Sequence, residues 1–243
     1  MQRLNINSLS LSQGQQSTGF SPSSVPGLTM WVKSDFGAYN TGTTPATNGQ
    51  TVTTWKNVAS GGDFVQATGG SKPLFVTGVQ NGLPSLRFDG IDDFMGNATF
   101  SVPATATLFI ALKAVTVGVF GQRYFGFNND NAGIFDNTTS YGYFGTQTAT
   151  IVNLGGTLTT AALFTLNYAA LNSCQAFRNG TSVTTFDPSN DYTNTGLAIG
   201  AEDLVGTKPT NCDIFEMIIY NTSLFAVDQA AVERYLINKW RIV

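Results

Sequence analysis

The chain of 243 residues carries 12 basic and 15 acidic side chains, a formal net charge of −3, and no histidine. No run of Lys or Arg stands out, which argues against nucleic-acid binding through a basic patch, and the missing His removes Ser-His-Asp, Cys-His and His-ligated zinc chemistry. Hydrophobic residues at 42%, with 18 Phe among them, supply a full core, while charged residues at 11% leave solubility to hydroxyls and amides, as suits an extracellular or assembled particle.

In chain order, residues 1–26 come first, rich in Ser, Gln and Asn, with a short alternation at Leu4, Ile6, Leu9 and Leu11. They read as an extended arm or linker that can order by adding a strand to a neighbouring subunit. No apolar run of signal-peptide length occurs there, and no window approaches the ~18 apolar residues of a membrane span. The expected route outward is then either one without a signal, such as assembly into a virion and lysis, or secretion with the signal since removed, and Met1 favours the first. Residues 27–243 are expected to form one domain.

From Leu28 onward, short apolar or alternating runs rich in Phe, Val, Ile and Thr are broken by Gly, Asn, Asp and Pro, the pattern of an all-β sandwich. The clearest runs cover 28–33, 51–55, 85–88, 107–112, 117–127, 162–168, 174–178, 182–186, 197–200 and 214–220. About ten to thirteen strands are expected, with no helical period between them. Asn179 and Gly180 sit between two alternating runs and predict a hairpin, because both residues tolerate the positive φ of a type I′ turn. At the C-terminus Val227, Ala231, Val232, Tyr235, Leu236 and Trp240 recur at three- and four-residue steps, which predicts one amphipathic helix over 226–239. Asp228 lies near its positive end and Lys239 and Arg241 near its negative end. Trp31, Trp55 and Trp240 are expected in the core. Cys174 and Cys212 fit small buried apolar positions, with a disulfide between neighbouring strands as the alternative.

Two stretches resemble a known family. PGLTMWVKSD, TVTTWKNVASGGDFVQATGGSKPLF and QNGLPSLRFDGIDDFM form an opening block, and DIFEMIIYNTSLFAVDQAAVERYLINKW a closing one. In this order, over about residues 26–95 and 213–243, they are similar to the laminin-G-like members of the concanavalin A-like lectin and glucanase superfamily. The resemblance implies a two-sheet antiparallel jelly roll with one C-terminal helix. Modules of this type occur in bacterial surface proteins, adhesins and phage structural proteins, so the resemblance implies fold more than activity.

The glucanase branch of that superfamily places paired carboxylates on one face of a strand. Asp213 and Glu216 are the nearest candidates here; three apart in a strand, they are expected on opposite faces, and Glu216 within IFEMIIY is expected to be structural. The chain is therefore expected not to be an enzyme. In FDGIDD, Asp89, Asp92 and Asp93 crowd oxygen donors into one turn, a composition that forms turns through the backbone and could also ligate calcium. Tyr124, Tyr141 and Tyr143, near Asn128 and Asp130, combine aromatic faces with amide and carboxylate groups, as sugar binding requires. Sequons at Asn97, Asn137, Asn179 and Asn221 are no more than chance gives in so Asn-, Ser- and Thr-rich a chain.

These readings lead to a virion structural or decoration protein, of a phage, displaying a lectin-like jelly roll anchored by residues 1–26 to capsid or other virion proteins, with homo-trimers suited to such display. The alternative is a secreted or cell-surface lectin that binds host glycans, and a carbohydrate-active enzyme ranks below both. Neither nucleic acid nor membrane insertion is expected.

Overall fold

The computed structural model describes residues 19–243 apart from 102, 104, 117–118, 128–132, 145–150, 170–173 and 187–194. Its strands are, in order, β1 (Leu28–Lys33), β2 (Ala38–Thr41), β3 (Thr44–Pro45), β4 (Thr54–Trp55), β5 (Phe64–Val65), β6 (Leu74–Gln80), β7 (Leu83–Asp89), β8 (Met95–Ser101) and β9 (Ala106–Ala114). They continue with β10 (Phe125–Phe127), β11 (Gly133–Asn137), β12 (Ser140–Phe144), β13 (Ile151–Gly155), β14 (Ala162–Tyr168), β15 (Cys174–Arg178), β16 (Thr181–Phe186), β17 (Thr195–Ile199) and β18 (Asn211–Tyr220), and the helix α1 (Ala226–Trp240) closes the domain.

Two antiparallel sheets form the sandwich, as the sequence pattern predicts. One runs β16-β15-β14-β9-β18-β7-β6, with β1 also paired to β18; the other runs β10-β17-β8-β5-β4-β2-β3, and β11-β12-β13 make a small third sheet. The central strands of the first sheet are covered on both faces, which is why they read as continuous apolar runs. In β9 the alternation sends Leu108, Ile110 and Leu112 into the core between the sheets, where they meet Trp55, Phe64, Met95 and Phe125, while Phe109 and Ala111 point the other way. That second face is covered by α1, whose Val232, Leu236 and Trp240 pack against Phe109, Phe215 and Ile218. The Trp240 ring stacks on Phe215 with centroids 5.1 Å apart. Arg241, left-handed at φ 48, ends the helix, and the Ile242 amide donates back to the Ile237 carbonyl at 3.1 Å.

The β15–β16 hairpin turns on Asn179 (φ 52) and Gly180 (φ 77), as predicted. Trp31, Trp55 and Trp240 are all buried. Cys174 and Cys212 are buried thiols of the inter-sheet core, and among the described residues no disulfide joins them. The strands not foreseen are mostly two-residue pieces (β3, β5) or carry Gly and Asn within a ladder (β8, β11 to β13), where composition reads as loop and only long-range pairing makes the strand.

Residues 1–18, with the alternation at Leu4 to Leu11, lie outside the described residues. The next eight lie against the domain: Pro22–Ser24 form a 3-10 turn, Val25 is buried, and the Tyr220 hydroxyl donates to the Pro22 carbonyl at 2.8 Å.

One expectation about β18 is corrected. Against β9, Ile214 pairs with Leu112 and Glu216 with Ala111, so Phe215 is an extra, bulged residue. A one-residue bulge reverses the alternation. Cys212 and Ile214 before it, and Met217 and Ile219 after it, all face the inter-sheet core. Asp213 and Glu216 therefore share the outer face that α1 covers in part, instead of lying on opposite faces. At the same point β18 exchanges one edge partner for another, β7 up to Ile214 and β1 from Glu216 onward.

Candidate functional site

The tyrosines expected to bind sugar are core residues. Tyr124, Tyr141 and Tyr143 are 0%, 0% and 1% exposed; Tyr141 and Tyr143 alternate along β12 and both turn inward. Inside, the Tyr124 hydroxyl donates to Asp136 and the Tyr141 hydroxyl to the Leu158 carbonyl. Burial pushes both hydroxyls well above their ordinary pKa. Asn128 and Asp130 lie outside the described residues.

The acidic turn after β7 is formed as the sequence suggests, with one ligand oxygen each from Asp89, Asp92 and Asp93 lying within 4.8 Å of one another. Most of its geometry is turn chemistry. Asp89 Oδ1 accepts from the Ile91 amide at 2.8 Å, Asp93 Oδ2 accepts from the Asp89 amide at 3.0 Å, and Asp92 Oδ2 accepts from Ser71 Oγ at 3.1 Å. Asp93 is 4% exposed. Burial, and then the charges of Asp89 and Asp92, push its pKa up to about 7 against a single backbone donor that favours the carboxylate. The donor set is of the hard-oxygen kind that calcium takes, and the same oxygens already have work in the turn.

The two carboxylates of β18 are satisfied differently. Glu216 is wholly buried and accepts four bonds, from Trp31 Nε1 (2.6 Å) and the Tyr235 hydroxyl (3.1 Å) at Oε1, and from Lys239 Nζ (2.7 Å) and Trp240 Nε1 (2.9 Å) at Oε2. Asp213, also buried, holds Arg87 through two nitrogens at 2.9 Å each and Ser85 Oγ at 2.7 Å. Glu216 binds α1 to the sheet through both of its oxygens, which is the structural role expected of it.

An open cavity of about 560 Å³ lies on the outer side of α1, lined by Phe20, Ala231, Arg234, Tyr235, Asn238 and Lys239. Positions 231, 234, 235 and 238 are three or four apart and so form one stripe along the helix. Phe20 makes the opposite wall, its ring centroid 6.2 Å from that of Tyr235. Tyr235 is fixed in place by its bond to Glu216 and by an edge contact to Trp31 at 6.3 Å. The groove is missed from sequence because Ala231 and Tyr235, which line it, are read as part of the helix's apolar stripe, and Phe20 falls within the segment assigned to the arm.

With the geometry in hand, the chain can be set beside known proteins. No protein-family model and no curated protein sequence matches it. Among solved structures, Trypanosoma rangeli sialidase in complex with sialic acid superposes with a TM-score of 0.60 over 90% of this chain, at 13% identity. A second structure of that sialidase gives 0.59 at the same identity. This chain spans 34% of the sialidase chain. Domain 4 of AbnA, a GH43 extracellular arabinanase from Geobacillus stearothermophilus, in complex with arabinotriose, is a looser match, with a TM-score of 0.46 at 15% identity over 83% of this chain and 95% of that domain.

At these identities the likeness is one of fold: the chain is an antiparallel two-sheet β-sandwich with one C-terminal helix, the architecture expected from sequence. The likeness also corrects the expectation that the chain is not an enzyme. Solved structures that it matches over about nine-tenths of its length include sialidases, so its fold occurs within carbohydrate-acting enzymes. The two carboxylates are not separated either, since the bulge at Phe215 puts Asp213 and Glu216 on one face. No described helix is long and apolar enough to cross a membrane.

Proposed function

We propose that this chain is a glycan-binding β-sandwich module whose sugar site is the groove between Phe20 and the outer face of α1. The groove itself carries this reading: two aromatic rings, a guanidinium and an amide converge on one concavity of about 560 Å³. Aromatic faces pack on the C–H faces of sugar rings, and amide and guanidinium donors take the hydroxyls, so apolar walls with a few convergent polar groups are what such a ligand needs. The fold shared with a sialidase in complex with sialic acid supports the same ligand class.

A glycan array probed with the intact chain, followed by calorimetry on the hits, tests the proposal. Hits are expected, and Phe20→Ala is expected to weaken them about tenfold or more, because it removes one aromatic wall. An array without hits, or a Phe20→Ala chain that binds as well as the wild type, overturns it.

Placement on a virion or other scaffold through residues 1–26 is a second reading, favoured by the alternation of Leu4, Ile6, Leu9 and Leu11 in an otherwise polar stretch. A chain lacking residues 1–18 should then fold and fail to join its scaffold.

A further inference from the structure

We infer that the groove beside α1 selects an anionic sugar, with Arg234 as the residue that reads its charge. The inference rests on the glycan reading above and names the ligand class of the same site.

Two cationic side chains line the groove, and they differ in what they already hold. Lys239 Nζ lies 2.7 Å from Glu216 Oε2 and 2.9 Å from Asp35 Oδ1, and its side chain is 14% exposed. Its charge is used inside the protein. Arg234 is exposed and makes neither an ion pair nor a side-chain hydrogen bond among the described residues. It is therefore the uncompensated charge of the cavity. Glu233, the acid next to it in sequence, is buried on the inner side, where its Oε1 accepts from Thr165 Oγ1 at 2.8 Å and Gln229 Nε2 at 3.0 Å, so it does not neutralise the guanidinium.

A guanidinium beside apolar walls prefers a planar or tetrahedral oxyanion to a neutral hydroxyl, because its fork of donors matches two oxygens at once and the bonds are charge-assisted. Asn238, one helical turn on from Arg234, adds an amide that can donate and accept, and Phe20 and Tyr235 supply the faces for the sugar ring. Elsewhere a chain of net charge −3 has no general attraction for anions, so preference for an acidic glycan would come from this site. A carboxylated sugar and a sulfated sugar share the required chemistry.

The test is calorimetry of the full chain with three matched oligosaccharides: a neutral one, its carboxylated counterpart and its sulfated counterpart. At least one anionic form is expected to bind about tenfold tighter than the neutral form, since a bond to a charged group is worth more than a neutral one. The form that binds tighter identifies the anion. Arg234→Gln should bring the anionic glycan down to the affinity of the neutral one, and Arg234→Lys should recover part of the preference. The advantage of the anion should also shrink as salt is raised. Equal affinity for neutral and anionic glycans, or a preference that survives Arg234→Gln, overturns the inference and leaves the glycan reading standing. Absence of binding by all three removes both.

Discussion

Glu216 and the acidic turn after β7 treat buried carboxylates in opposite ways. At Glu216 one acid collects four donors from two elements, so its charge is stabilised by indoles, a phenol and an ammonium. In the turn after β7 three acids collect mainly backbone amides and one another, with no cation among their described hydrogen bonds, and Asp93 answers by holding its proton up to about pH 7. Burial of an acid is thus a fastening where donors converge and a liability where other acids do.

The sharpest way to break the contrast is Glu216→Ala. It strands two indole N–H groups and the Lys239 ammonium beneath the helix, so the chain should lose about 3–5 kcal/mol in urea denaturation, the loss typical of removing one partner from a buried charge pair. A loss under about 1 kcal/mol would mean that the knot does not hold α1 to the sheet.

Arg87→Met probes the intermediate case. Asp213 is buried but Arg87 is about a third exposed (36%), and Lys113 Nζ at 4.0 Å is the remaining cation nearby. Solvent and Lys113 should soften the effect to about 2 kcal/mol by the same measurement. An unchanged stability would show that Ser85 and Lys113 suffice.

The smallest effect, and one of opposite sign, is expected at Asp93. Its folded-state pKa lies above the unfolded value of 3.8, so the folded chain holds the proton longer. The resulting stability is fully present below about pH 4 and is lost as the pH rises through about 7. Asp93→Asn keeps an acceptor for the Asp89 amide and removes that slope. After allowance for solvent screening, it should stabilise the chain by about 1 kcal/mol at pH 8 and by nothing at pH 4. Calcium sharpens the same comparison: a melting midpoint at pH 8 that rises with calcium in the wild type but not in Asp93→Asn would make the turn an ion site. A midpoint that ignores calcium and chelator removes the ion.

The layers of the fold were legible because they follow from local pattern. Alternation located β1, β14 and β15 to the residue, the Asn-Gly pair located a hairpin, and three-and-four spacing located α1 with a one-residue difference at its end. What escaped depends on distant partners. Tyr141 and Tyr143 look accessible among glycines, yet the glycines only let β11 and β12 approach, and Gly142 leaves no room for a Cβ beside the Phe135 ring at 2.7 Å. The Phe215 bulge has no local mark; it falls where β18 changes partner from β7 to β1, strands far from it in sequence. The groove joins Phe20 to a helix more than two hundred positions away, a juxtaposition that no window of sequence contains.

The two buried cysteines make the core its own clock. Cys174 lies on β15, near the outer edge of the larger sheet, and Cys212 on β18, at its centre. Burial pushes the Cys212 thiol well above its ordinary pKa, so a thiol reagent can meet its reactive form only when the sandwich parts. The rate at which each sulfur is alkylated in the native protein would therefore time two separate events, fraying of the hairpin edge and opening of the whole sandwich, without a probe having to be introduced.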